Sequence, residues 1–118
     1  MSPRLILASA AALVAFGATS VFAHHGWTGY DEGKTMTLTG SISRIYFGNP
    51  HVQIDLKGSD KAWNVVLAPP ARMQMRGLPE GSLKTGDTVS VIGYAHRGSP
   101  NELRAEQIVV ASKTIEMR

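Results

Sequence analysis

The sequence predicts a mainly β protein, a small five-stranded Greek-key barrel with one short helix between strands 3 and 4. A signal peptide and an irregular N-terminal arm precede it. Three observations carry that expectation. Five strand-like runs are bounded by turn signals, and in the first three apolar and polar residues alternate with period two, the pattern of half-buried strands. A proline followed by good helix formers falls between the third and fourth runs. Residues 1–23 combine a basic start, an uncharged apolar stretch and a small-residue cleavage site.

The leader comes first. Arg4 supplies its charge, residues 5–22 carry none, and Val21-Phe22-Ala23 ends the stretch before polar sequence begins at His24. It is rich in Ala, Ser, Gly and Thr, weakly apolar for a retained spanning helix. We therefore expect an exported, periplasmic protein with no membrane span after leader cleavage. Cleavage leaves 95 of the 118 residues, one small domain. Its parts are an arm at 24–34 and a barrel at 35–118. A chain of that size buries roughly 60–65% of its unfolded surface, enough to fold alone.

Composition narrows the chemistry. There is no cysteine, so the fold stands on its core and thiolate metal sites are excluded. The net charge of +3 falls to +2 once Arg4 leaves, and no two basic residues are adjacent. That argues for no nucleic acid partner.

Residues 24–34 contain Gly26, Gly29 and Gly33 and show no periodicity, hence the arm. Over 35–42 apolar residues alternate with hydroxyl residues. The phase slips at Ser43-Arg44 and resumes at Ile45 and Phe47, so strand 1 is long and, with Gly40 inside it, bent or bulged. Gly48-Asn49-Pro50 breaks it. Val52, Ile54 and Leu56 share one face of strand 2, and Trp63, Val65 and Leu67 one face of strand 3, across a hairpin turn at 57–60. Pro70 starts a helix of about two turns that Gly77 closes. Strand 4 covers 88–96 and strand 5 covers 103–112, with a turn at 97–101. Three strands, a helix and two strands is the order of the OB-fold. That fold alone assigns no function.

Several pieces of this sequence also belong together in a known family. They are Ala23-His24-His25 after a leader, Leu38-Thr39-Gly40, Asn49-Pro50-His51-Val52 and Trp63-Asn64-Val65. The helix from Pro70 to Gly77 and Lys84-Thr85-Gly86-Asp87-Thr88-Val89 complete the set. Together they resemble a family of small exported bacterial proteins catalogued as a domain of unknown function. The resemblance spans the mature chain and implies an exported OB-like domain; it supplies no activity. The chain departs from it at His24-His25-Gly26-Trp27, where the family is associated with a Ser and an aromatic after the His pair.

The four histidines are the candidate metal ligands. Cleavage after Ala23 frees an α-amine on His24 beside two imidazoles, all able to be neutral donors near pH 7. A nitrogen-rich set suits Cu(II), with Zn(II) or Ni(II) also admissible. His51 opens strand 2 and His96 closes strand 4, which places both near one rim of the expected barrel. The arm is long enough to reach that rim, or to stay free of it. Each histidine also has an ordinary explanation: His24 and His25 as a solvated terminus, His51 as part of the turn, His96 as an exposed neighbour of Arg97. Met73 and Met75 sit two apart on different sides of the helix and cannot share an ion, so we expect one in the core and one on the surface.

No nucleophile elbow, phosphate-cradling glycine loop or His-Glu-x-x-His occurs. The leading expectation is a non-enzymatic periplasmic binding or accessory module, with an exported or membrane-bound protein partner. The alternative is a copper-binding protein using His24 with His25, His51 or both; the third is a metal-dependent oxidoreductase.

Overall fold

The computed structural model describes residues 26–118; the stretch expected to be a leader, His24 and His25 lie outside the described residues. The order is β1 (Tyr30–Tyr46), β2 (Gln53–Lys57), β3 (Ala62–Val66), α1 (Pro70–Met75), β4 (Thr88–His96), β5 (Glu102–Val110) and β6 (Lys113–Glu116). The sheet runs β3-β2-β1-β4-β5-β6, and β3 pairs again with β5. That extra pairing is parallel and joins Asn64 to Glu102 and Val66 to Arg104. The other pairs are antiparallel. No described helix is long and apolar enough to cross a membrane.

The alternating residues fall where the pattern puts them. Val52, Ile54, Leu56, Trp63, Val65 and Leu67 are buried, and Leu103 and Ile108 meet them from β5. The phase slip in β1 is a bulge: Ile42 faces Leu56 while Arg44 faces Asp55, leaving Ser43 unmatched. Gly40 is required beside it, because a Cβ there would strike the carbonyl of Lys57. The helix buries Met73 and leaves Met75 82% exposed. Its end is a Schellman closure, with Gly77 at φ +90°, its N–H on the Gln74 carbonyl and the Leu78 N–H on that of Met73.

The strands differ from expectation most at the start of β1 and after β5, and β2 starts at Gln53, two residues after His51. β1 begins at Tyr30, so residues 30–34 belong to a strand. Tyr30 pairs with His96 and pairing resumes only at Thr35 with Tyr94. Residues 31–34 thus bulge opposite Ala95 alone, which erases any period. A sixth strand also follows the expected five. Ala111 and Ser112 adopt φ of 49° and 68°, and Val110 pairs with Lys113. Two successive positive-φ residues make a tight hairpin that usually advertises itself with Asn or Gly; here neither is present.

Candidate functional site

Two places gather side chains with chemistry. The first lies where β5 passes beneath the arm. Leu103, Arg104 and Ala105 are buried in succession, so both faces of the strand are covered there. Leu103 and Ala105 join the core. Arg104, only 8% exposed, lies under the rings of Trp27, ahead of β1, and Tyr30, its first residue. Its guanidinium is 4.3 Å from the Trp27 ring centre and 5.9 Å from that of Tyr30. Nη1 donates to the Gly26 carbonyl at 3.2 Å and Nη2 to His51 Nε2 at 3.0 Å. Nε has no partner among the described residues.

Arginine only donates, so His51 Nε2 accepts and its proton sits on Nδ1. Burial, then the positive charges of Arg104 and Arg72, hold the His51 pKa below its ordinary value. The ring is therefore neutral at pH 7. Trp27 takes a second guanidinium, Arg118, at 4.2 Å. Arg118 in turn bonds Glu32 at 2.8 Å and Glu106 at 3.4 Å. The start of the described chain is thus fastened to the sheet by two cations.

His96 has a different role. Its Nδ1 accepts backbone N–H groups from Gly98 and Ser99, both at 3.0 Å, closing the turn after β4. Its ring meets Tyr30 edge-on, centres 5.0 Å apart. Tyr30 donates to the Glu102 carboxylate. Burial, reinforced by Glu102, pushes the Tyr30 phenol well above its usual range. His51 and His96 are therefore linked through Arg104 and Tyr30, yet one nitrogen of each already accepts. Among the described residues no three His, Asp or Glu side chains gather as a metal site. His24 and His25 fall outside that description.

The second place is an open cleft of about 310 Å3 on the outer side of β1, β2 and β3. Arg44 and Tyr46 come from β1, Gln53 and Asp55 from β2, Asn64 from β3, with Asn49-Pro50 of the β1–β2 loop at one end. Register explains the grouping. Arg44 stands opposite Asp55, Asp55 opposite Asn64 and Tyr46 opposite Gln53, and directly opposed residues share a face. Asp55 takes the Asn64 amide at 3.1 Å and lies 3.5 Å from Arg44 Nε. Tyr46, half exposed, donates to the Asn49 carbonyl at 3.0 Å.

Over residues 11–104 the sequence matches the family of unknown function DUF6152. The chain belongs to that family. The DUF6152 match takes in His24, His25, His51, His96 and every cleft residue, and it ends at Arg104. No curated protein is significantly similar. Among solved structures the chain is similar to part of the tRNA agmatidine synthetase TiaS. In the complex of TiaS with an isoleucine tRNA and ATP, 68% of this chain superposes on 18% of that one, with TM-score 0.51 and 17% identity. For a TiaS variant lacking one domain, bound to agmatine, the figures are 74%, 27%, 0.53 and 15%. The chain thus spans about a fifth to a quarter of those proteins, and the likeness concerns the fold alone.

Sequence reasoning passed over Arg104 and the cleft. The signal for Arg104 was present: an arginine between Leu103 and Ala105, next to the continuous apolar run of Ile108, Val109 and Val110. The cleft had none, because Arg44, Asp55 and Asn64 are far apart in sequence and only register assembles them.

Proposed function

We propose that this DUF6152 domain is a non-enzymatic periplasmic binding module, an OB-like five-stranded barrel serving an exported or membrane-bound partner. The ring of pairings β1-β2-β3-β5-β4-β1, with α1 between β3 and β4, supports the OB-like reading. The observation that carries the function is the preformed cleft over β1, β2 and β3, because the face of strands 2 and 3 with the loop between strands 1 and 2 is where that fold binds ligands. It holds one carboxylate, already shared with a guanidinium and an amide, and no paired acid and base for catalysis. The test is a nuclear magnetic resonance screen of the processed protein against small polar compounds. Shifts confined to the amides of Gln53, Asp55 and Asn64, with every compound recovered unchanged, are the expected result. Turnover of a compound, or no cleft response to any, would sink the reading.

A second reading is copper binding through His24 with His25, His51 or both. Its support is that Gly26 bonds Arg104, which bonds His51. Two residues of chain separate Gly26 from His24, a reach of at most about 7 Å. Against His51 as a ligand stand its engaged Nε2 and the positive charges beside it. Calorimetric titration of the processed protein with Cu(II) decides. Copper requires a site far tighter than that of a His-His peptide, lost in His24→Ala and blocked by an added N-terminal Met.

A further inference from the structure

We propose that the cleft over β1, β2 and β3 binds a neutral saccharide. This inference rests on the binding-module reading and adds the ligand class.

Charge comes first. Arg44 and Asp55 offset each other at 3.5 Å, and the other lining groups are amides, a phenol and a proline. A phosphate would meet a single guanidinium already beside a carboxylate. A metal cation would meet a single carboxylate already holding Arg44 and the Asn64 amide. The cleft is therefore selective for neutral molecules. Pro50 is the one aliphatic side chain in its lining, so the hydrogen-bonding groups and the Tyr46 ring decide what it holds.

The remaining requirement is a ligand rich in donors and acceptors that also presents a flat apolar side. Tyr46 supplies the matching plate. One side of its ring covers Gly48, where an added Cβ would come within 2.6 Å of Cζ and the hydroxyl, while half of the residue stays open. Its hydroxyl is tethered to the Asn49 carbonyl, so the ring is held before any ligand arrives. A sugar ring offers both faces: hydroxyls for Gln53, Asn64 and Asn49, and a C–H face for Tyr46. A volume of about 310 Å3 lies at the small end of ligand pockets.

A peptide is the rival with similar polarity. Strand addition requires a free sheet edge, and β2 is paired on both sides, with β1 and β3. The cleft floor therefore presents side chains and no free backbone ladder.

The experiment uses isotope-labelled processed protein titrated separately with maltotriose, cellotriose, triacetylchitotriose, a proline-containing hexapeptide and inorganic phosphate. At least one sugar should give saturable shifts at Gln53 and Asn64. Tyr46→Ala should weaken that binding by about tenfold, the size of one aromatic contact. Tyr46→Phe, which keeps the ring, should bind nearly as wild type, and Gln53→Ala gives a second reading should Tyr46→Ala disturb the turn. Cleft shifts with peptide or phosphate but no sugar overturn the saccharide assignment and leave the binding module standing. Sugar shifts located elsewhere overturn the assignment too. No cleft response to any probe overturns both.

Discussion

The Arg104 cluster and the Asp55 cleft use nearly the same residue types, yet they are opposites in cover. Each combines an arginine with a carboxylate or imidazole, at least one tyrosine and outward-facing strand positions. Arg104 is 8% exposed because Trp27 and Tyr30 lie over it. The Arg44 side chain is 78% exposed, and nothing in the described chain lies over it. A charge sealed under aromatic rings, with both terminal nitrogens bonded within its own chain, holds structure together. A charge left open among fixed amides is available to something else. The lesson is that cover, and not composition, separates the sealed scaffold end from the open cleft.

The sharpest way to break that division is to force the scaffold end open. Gly93 on β4 faces Ala105, and a Cβ there would land on the carbonyl oxygen of Arg104. Backbone cannot swing aside as a side chain does, so β4 and β5 must part. Gly93→Ala should cost more than about 3 kcal/mol in urea unfolding, or abolish folding. Gly33→Ala, where only the Asp31 side chain is near, should stay within about 0.5 kcal/mol.

Replacing the charge itself is the next step down. Arg104→Met keeps an apolar stem but removes the donors to Gly26 and His51. It should cost about 1–3 kcal/mol, and hydrogen exchange at residues 27–30 should rise with it. Arg44→Met in the cleft should change stability by less than about 1 kcal/mol, since its ion pair is exposed. Equal costs at the two arginines would erase the distinction.

These two ends differ as well in how far the sequence revealed them. The buried faces of β2 and β3, the bulge at Ser43-Arg44 and the helix ending at Gly77 were legible because each is a local pattern with a local cause. β6 was hidden by Ala111-Ser112, a tight turn without turn residues, and the start of β1 by a bulge that removes all alternation. Arg104 and the cleft are products of pairing between distant strands. His51 illustrates the limit: its place just before β2 was readable to within two residues, but its partner, 53 residues away, was not.

His51 also gives the scaffold end a pH dependence. Its folded pKa is lowered, so between that value and the unfolded value of about 6.5 the unfolded chain binds more protons. The stability this contributes is complete above about pH 6.5 and is lost as pH falls through the folded pKa. Urea midpoints measured in chelated buffer at pH 7.5 and 5.5 should differ more for the wild type than for His51→Gln. An equal fall in both would place the acid sensitivity elsewhere.

The effect of Asp55 on stability is expected to be small as well, and it is the most informative about charge. Asp55 is partly exposed and holds Arg44 and Asn64 by side-chain contacts alone. Asp55→Asn keeps the shape and should shift stability by less than about 1 kcal/mol. It does, however, leave Arg44 without its counter-charge and turn a neutral cleft into a cationic one. Inorganic phosphate should then perturb Gln53 and Asn64 in the variant at concentrations that leave the wild type unmoved. If phosphate perturbs both proteins alike, Asp55 is not what keeps this cleft neutral, and selection by charge must be assigned to the surface around it.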